Sequence, residues 1–107
     1  MFKSDSKQQL LEFLNERVFR PTEVADPLSY ANIDERKLLK SVQKRVHETR
    51  VRYFADYANA SEVKSTFVQD LNSKSGQKLA SDMWILKLTR FEDVRTDFLA
   101  LCTRLGL

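Results

Sequence analysis

Seven basic residues, Arg36, Lys37, Lys40, Lys44, Arg45, Arg50 and Arg52, crowd one short stretch of the chain against a single acidic residue, Glu48. They leave a local charge of +6, twice the +3 of the whole chain. On a helix turning about 100° per residue, Lys37, Lys40 and Lys44 fall in one narrow arc, with Arg36 and His47 beside them. Such a stripe can follow nucleic-acid phosphates, each neutralised phosphate releasing a counterion. It can equally face an acidic protein, or be a solvated face whose lysine stems shield an apolar seam. The pattern fits all three.

The other candidates for chemistry are thinner. His47 is the one histidine, and acid–base work needs an orienting carboxylate and a nucleophile near it. Glu48 is adjacent in sequence, but one helical step turns it about 100° away. Carboxylate-bridged di-iron bundles need Glu-x-x-His pairs from two helices, which one histidine cannot supply. Cys102, the one cysteine, lies between Phe98 and Leu105, where burial makes a thiol a small, unreactive hydrophobe. Glu92, Asp93 and Asp97 are interleaved with Lys87, Arg90, Arg95 and Arg104, the mixture of an ion-paired outer face. Ser75-Gly76-Gln77-Lys78 has one glycine and no strand before it, so it is not a phosphate loop. A helix-turn-helix aligned on Gly76 would put Asn72 where a small residue must pack and Asp82 where an apolar one must anchor. With no convergent set of polar groups to stabilise developing charge, no enzymatic activity, metal site or cofactor is expected.

Met83-Trp84-Ile85-Leu86 is apolar all round a helix. Trp84 belongs to the inward seam, while Ile85 and Leu86 point to two other sides. Neighbouring segments wrap this stretch, or part of it buries against a partner. With Phe54, which leaves the inner stripe toward the basic side, Ile85 and Leu86 are the candidate apolar contacts.

These groups have to be held by helices. Ser4, Asp5 and Ser6 offer N-caps for a first helix carrying Leu10, Leu11, Phe13, Leu14, Val18 and Phe19 at three-and-four spacing. Pro21 ends it. From Arg20 to Asn32 a connector punctuated by prolines, Asp26 and Ser29 keeps Val24, Leu28 and Tyr30 apolar, and so reads as ordered and lying across the bundle. Asn32 and Glu35 make a capping box for a second helix over about 33–58, turned inward through Leu39, Val42, Val46, Thr49 and Tyr53. Asn59 as a left-handed C-cap and Ser61 as a new N-cap separate it from a third helix over about 61–73, buried through Val63, Phe67, Val68 and Leu71. A turn at 73–77, with Gly76 supplying a positive φ, leads to a fourth helix over about 78–105 that ends at Gly106. Its seam is Trp84, Leu88, Phe91, Arg95, Phe98, Cys102 and Leu105, interrupted only by Arg95.

The expected fold is therefore all-α: an antiparallel helical bundle of four helices, two long and two short, or of three if the second and third run on. A length of 107 residues suits one domain, 1–107. Hydrophobic residues at 42% and charged residues at 31% match a soluble globular chain. A lone cysteine suits a reducing cytosol. Met1 to Ser6 lacks the apolar core of a signal peptide, and the longest apolar run, Phe98 to Cys102, falls far short of the ~20 residues that span a bilayer. A cytoplasmic location without membrane contact is expected. The function expected is a small non-enzymatic protein–protein interaction module, an adaptor, regulator or subunit that contacts a protein partner or itself. The alternative is a nucleic-acid-binding accessory protein using the basic face, and no small-molecule substrate is inferred.

Overall fold

The computed structural model describes residues 5–107, so Ser4 as a helix cap, and most of the leader argument on Met1 to Ser6, lie outside them. Among the described residues there are five helices and no strand. Helix α1 is a continuous rod in three parts, Ser6–Leu14, a π-helical turn Asn15–Phe19, and Arg20–Glu23. It is followed by α2 (Ile33–Asp56), α3 (Ala60–Asn72), α4 (Lys74–Ile85) and α5 (Phe91–Arg104). The class is all-α as expected; the count of four helices is corrected to five.

Asp5 caps α1 by accepting from the Gln8 amide at 2.7 Å. Pro21 does not end this helix. Proline lacks an amide proton and its ring crowds the carbonyl one turn back, but the π turn just before it loosens that turn. The Arg20 amide donates five residues back, to Asn15 O, and the extra residue lets both Val18 and Phe19 face inward. The Thr89 hydroxyl, from the far end of the chain, donates to Arg17 O at 3.4 Å.

The connector after α1 is ordered, and of the three apolar residues expected to hold it only Tyr30 packs against the core. Asp26 caps a 3-10 turn at Pro27–Ser29 by accepting from the Leu28 amide at 2.9 Å. The Gln43 side chain donates to Thr22 O and Ala25 O, and Arg36 Nε donates to Tyr30 O at 2.6 Å. Val24 and Leu28, by contrast, point out.

Asn32 caps α2 by accepting from the Asp34 amide at 2.7 Å. Leu39, Val42, Val46 and Tyr53 are its buried face, the inner stripe read from the spacing, with Thr49 half-buried beside them. The break between α2 and α3 is where it was expected, but its chemistry differs. Asn59 has φ −152°, which is extended rather than left-handed, and it is the N-cap of α3, accepting from the Glu62 amide at 3.0 Å. Ser61 lies inside that helix.

The largest departure lies at residues 86–90. A single long fourth helix would carry Arg95 on its inward seam; instead α4 stops and α5 starts afresh. Lys87 turns left-handed, φ 59°, and closes a Schellman motif: its amide donates to Trp84 O and the Leu88 amide to Met83 O. A lysine in that region costs about 1 kcal/mol. The turn lets Met83 and Leu86 of one helix and Val94, Phe98 and Cys102 of the next all bury, while Arg95 stays in solvent. Tyr30 stitches the break by donating from its hydroxyl to Leu86 O at 2.6 Å.

The turn before α4 is also tighter than expected. Ser73 alone separates α3 from α4, so Gly76 is the third residue of the helix and its φ is not positive. The glycine that needs a left-handed conformation is Gly106, φ 76°, which ends α5 through bonds from its own amide to Thr103 O and from Leu107 to Cys102 O.

The apolar faces meet in one core cluster drawn from all five helices. Phe98 sits at its centre, its ring 4.5 Å from Phe67 and 5.9 Å from Phe13. Cys102 is fully buried there, and burial pushes its thiol up from the usual range, which keeps it protonated and inert.

Candidate interaction surfaces

The seven basic side chains of α2 divide into two groups. Three of its four arginines donate to the protein's own acceptors. Arg36 holds the connector at Tyr30 O. Arg45 donates to Asp82 Oδ2 at 2.7 Å, and Lys78 approaches the same oxygen at 3.5 Å. Asp82 is the one buried charged residue among those described, at 6% exposed, so two cations around it offset the cost of taking a carboxylate out of water. Arg52 donates to Asp70 Oδ2 at 2.9 Å, and the Tyr53 hydroxyl donates to that same oxygen at 2.6 Å. Burial and the carboxylate together push the Tyr53 phenol far above its usual range, so it remains a donor at any physiological pH. Arg50 stacks over the Phe54 ring at 5.4 Å, with Glu23 at 4.0 Å. None of these four is a free cation on an outer face.

Lys37, Lys40 and Lys44 are different. All three are exposed, and none lies within ion-pair distance of a carboxylate among the described residues. They stand opposite the buried stripe, in line with Ile33 and Val51, which are 64% and 51% exposed. Neighbouring like charges on a helix repel by about 0.2–0.5 kcal/mol per pair, so this outer face is mildly unfavourable until something anionic covers it. The basic stretch is thus three lysines wide, and the arginines belong to the fold.

The apolar candidates also divide. Leu86 is 1% exposed and faces the core, so it is no contact residue. Ile85 at 56% and Phe54 at 46% are open to solvent. Trp84, expected on the inward seam, is instead 49% exposed, with Lys87 Nζ 4.8 Å from the centre of its ring. The helix break explains the difference. With α5 free to turn, Met83 and Leu86 fill the core, and Trp84 and Ile85 are left outside. The repeating spacing ran straight through the break and could not show it. Trp84 and the open trio Val24, Leu28 and Ile33 are the candidates the residue pattern missed.

His47 is exposed, with Nδ1 3.6 Å from Glu23 Oε1, beyond a hydrogen bond. Asp97 pairs with Arg17 at 2.8 Å and Glu92 with Arg90 at 3.1 Å. Among the described residues no three His, Cys, Asp or Glu side chains gather as metal ligands, and no helix is long and apolar enough to cross a membrane. No family model, no curated protein and no solved structure matches this chain.

Proposed function

We propose that the protein is a non-enzymatic protein–protein interaction module, an adaptor, regulator or subunit of a larger assembly in the cytoplasm, and that it docks through the last turn of α4. The observation that carries this reading is Trp84 beside Ile85, both about half exposed on a helix whose adjacent Met83 and Leu86 are fully buried. A solvated tryptophan on an ordered helix is a ready anchor: tryptophan is enriched among the residues that dominate binding energy, and it brings large apolar area with few rotatable bonds. Self-association is the simplest form of such docking, because a two-fold interface needs one self-complementary patch.

Placing a photo-crosslinking amino acid at position 84 or 85 in cells is expected to give a discrete heavier adduct, of the chain with itself or with one partner. The same residue at Glu12, exposed on α1, is expected to give none. No adduct at either position, together with a monomer by light scattering at high concentration, overturns the reading.

A second reading has its own observation in the unpaired Lys37, Lys40 and Lys44: nucleic-acid binding along the outer face of α2. Retention on a heparin or DNA column is then expected to fall steeply with salt and to vanish on changing the three lysines to glutamate. Changing Arg45 and Arg52 would act instead through stability. An unretained protein in low salt ends that reading.

A further inference from the structure

A cleft of about 390 Å³ opens between the helices, away from Trp84 and Ile85. Its floor is Val18, Phe19, Val46, Tyr53 and Phe67, each 6% exposed or less. Leu71, Leu79 and Phe91, partly buried, stand around its mouth, so all five helices contribute a wall. Sites for small organic molecules span about 300–1,000 Å³. The floor is apolar but for the Tyr53 hydroxyl, whose proton already goes to Asp70, so water over it finds few partners.

The rim decides the charge of the occupant. Arg52 is joined to Asp70 and Arg45 to Asp82, at 2.9 and 2.7 Å. An anion would meet both Glu48 and Asp70 on this rim, whose two arginines already share their charge with carboxylates. A cation would meet both guanidinium groups. An uncharged molecule disturbs neither pair. It also finds hydrogen-bonding capacity at the mouth: a guanidinium has five N–H donors, of which Arg52 uses one on Asp70, and both donors to Asp70 fall on Oδ2, leaving Oδ1 open among the described residues.

We infer that this cleft binds a neutral, largely apolar small molecule carrying one hydrogen-bonding group, such as a ketone, alcohol or amide, with its apolar body over Val46 and Phe67 and its polar end at Arg52 and Asp70. This does not depend on docking through Trp84.

The probe pair N-phenyl-1-naphthylamine and 8-anilinonaphthalene-1-sulfonate tests it, since the two share their rings and differ in a sulfonate. The neutral probe is expected to saturate at one molecule per protein, and to bind about tenfold tighter than the sulfonate or better. Leu79→Trp, which fills the mouth, is expected to weaken the neutral probe by a similar factor, while Trp84→Ser leaves it unchanged. Absence of saturable binding, preference for the sulfonate, or loss on Trp84→Ser but not Leu79→Trp overturns the inference. Should Leu79→Trp fail to fold, methyl NMR of the unaltered chain decides. Probe-induced shifts at Val18, Val46 and Leu71 support the cleft, and shifts gathered at Val24, Leu28 and Ile85 overturn it.

Discussion

Gly76→Ala is expected to destabilise the protein by about 3 kcal/mol, although alanine is the better helix former by about 1 kcal/mol and Gly76 sits inside α4 in helical geometry. The reason is proximity. A Cβ at this position would run into the carbonyl oxygen of Asp70 and lie 2.7 Å from its carbon, both backbone atoms at the end of α3. Neither can swing aside as a side chain can. Ser73 locks the corner from both sides, its hydroxyl donating to Asp70 O at 2.8 Å and accepting from the Gly76 amide at 3.0 Å. A methyl group therefore has to part the two helices and break the cap. In a domain of this size about 3 kcal/mol lowers the melting temperature by roughly 15 °C. Gly106→Ala is the contrast: nothing lies within 4 Å of its missing Cβ, and the cost is the left-handed φ of 76° alone, about 1 kcal/mol. Urea denaturation of both variants checks the pair. A Gly76→Ala protein as stable as the parent would show that α3 and α4 do not meet this closely.

Phe98→Ala is expected to cost about 4 kcal/mol. The ring is fully buried between Phe13 of α1 and Phe67 of α3, and it holds α5 against both. Removing it leaves a cavity at the centre of the cluster, where rigid neighbours on three helices can close in only partly. Phe98→Leu, keeping most of the volume, is expected to cost about 1 kcal/mol. The denaturation midpoint should move with the slope unchanged, as it does when stability alone is affected. A loss under about 1 kcal/mol for Phe98→Ala would mean that α5 packs on the bundle through other side chains.

Much of the fold is legible in local patterns. Leu39, Val42, Val46 and Tyr53 recur at three and four residues and form the buried face of α2. Asp5 and Asn32 cap the helices they precede, because a short polar side chain needs only its own next turn to act. Pro21 misled because a rule about one residue met a compensating π turn beside it. Lys87 gave no breaking signal, being neither glycine nor proline, and its left-handed turn is held by bonds that form once Met83, Leu86 and Tyr30 are in place.

The candidate surface was less legible than the helices beneath it. Periodicity put Lys37, Lys40 and Lys44 opposite the apolar stripe, and they are exposed. It could not show that Arg45 and Arg52 on the same helix have carboxylates waiting 37 and 18 residues further on. Nor could it show that α4 would present Trp84 rather than Leu86 to solvent, or that walls from five helices would enclose a cleft.

From the sequence by itself come the all-α class, the inward faces of α1 to α3 and the excess positive charge of α2, because each depends on side chains within a few residues of one another on a single helix. Tertiary structure alone decided which cations are neutralised, where the last rod bends and which aromatic side chain stays wet. Those outcomes depend on which groups from distant parts of the chain share a space, and a repeat of 3.6 residues carries no record of that.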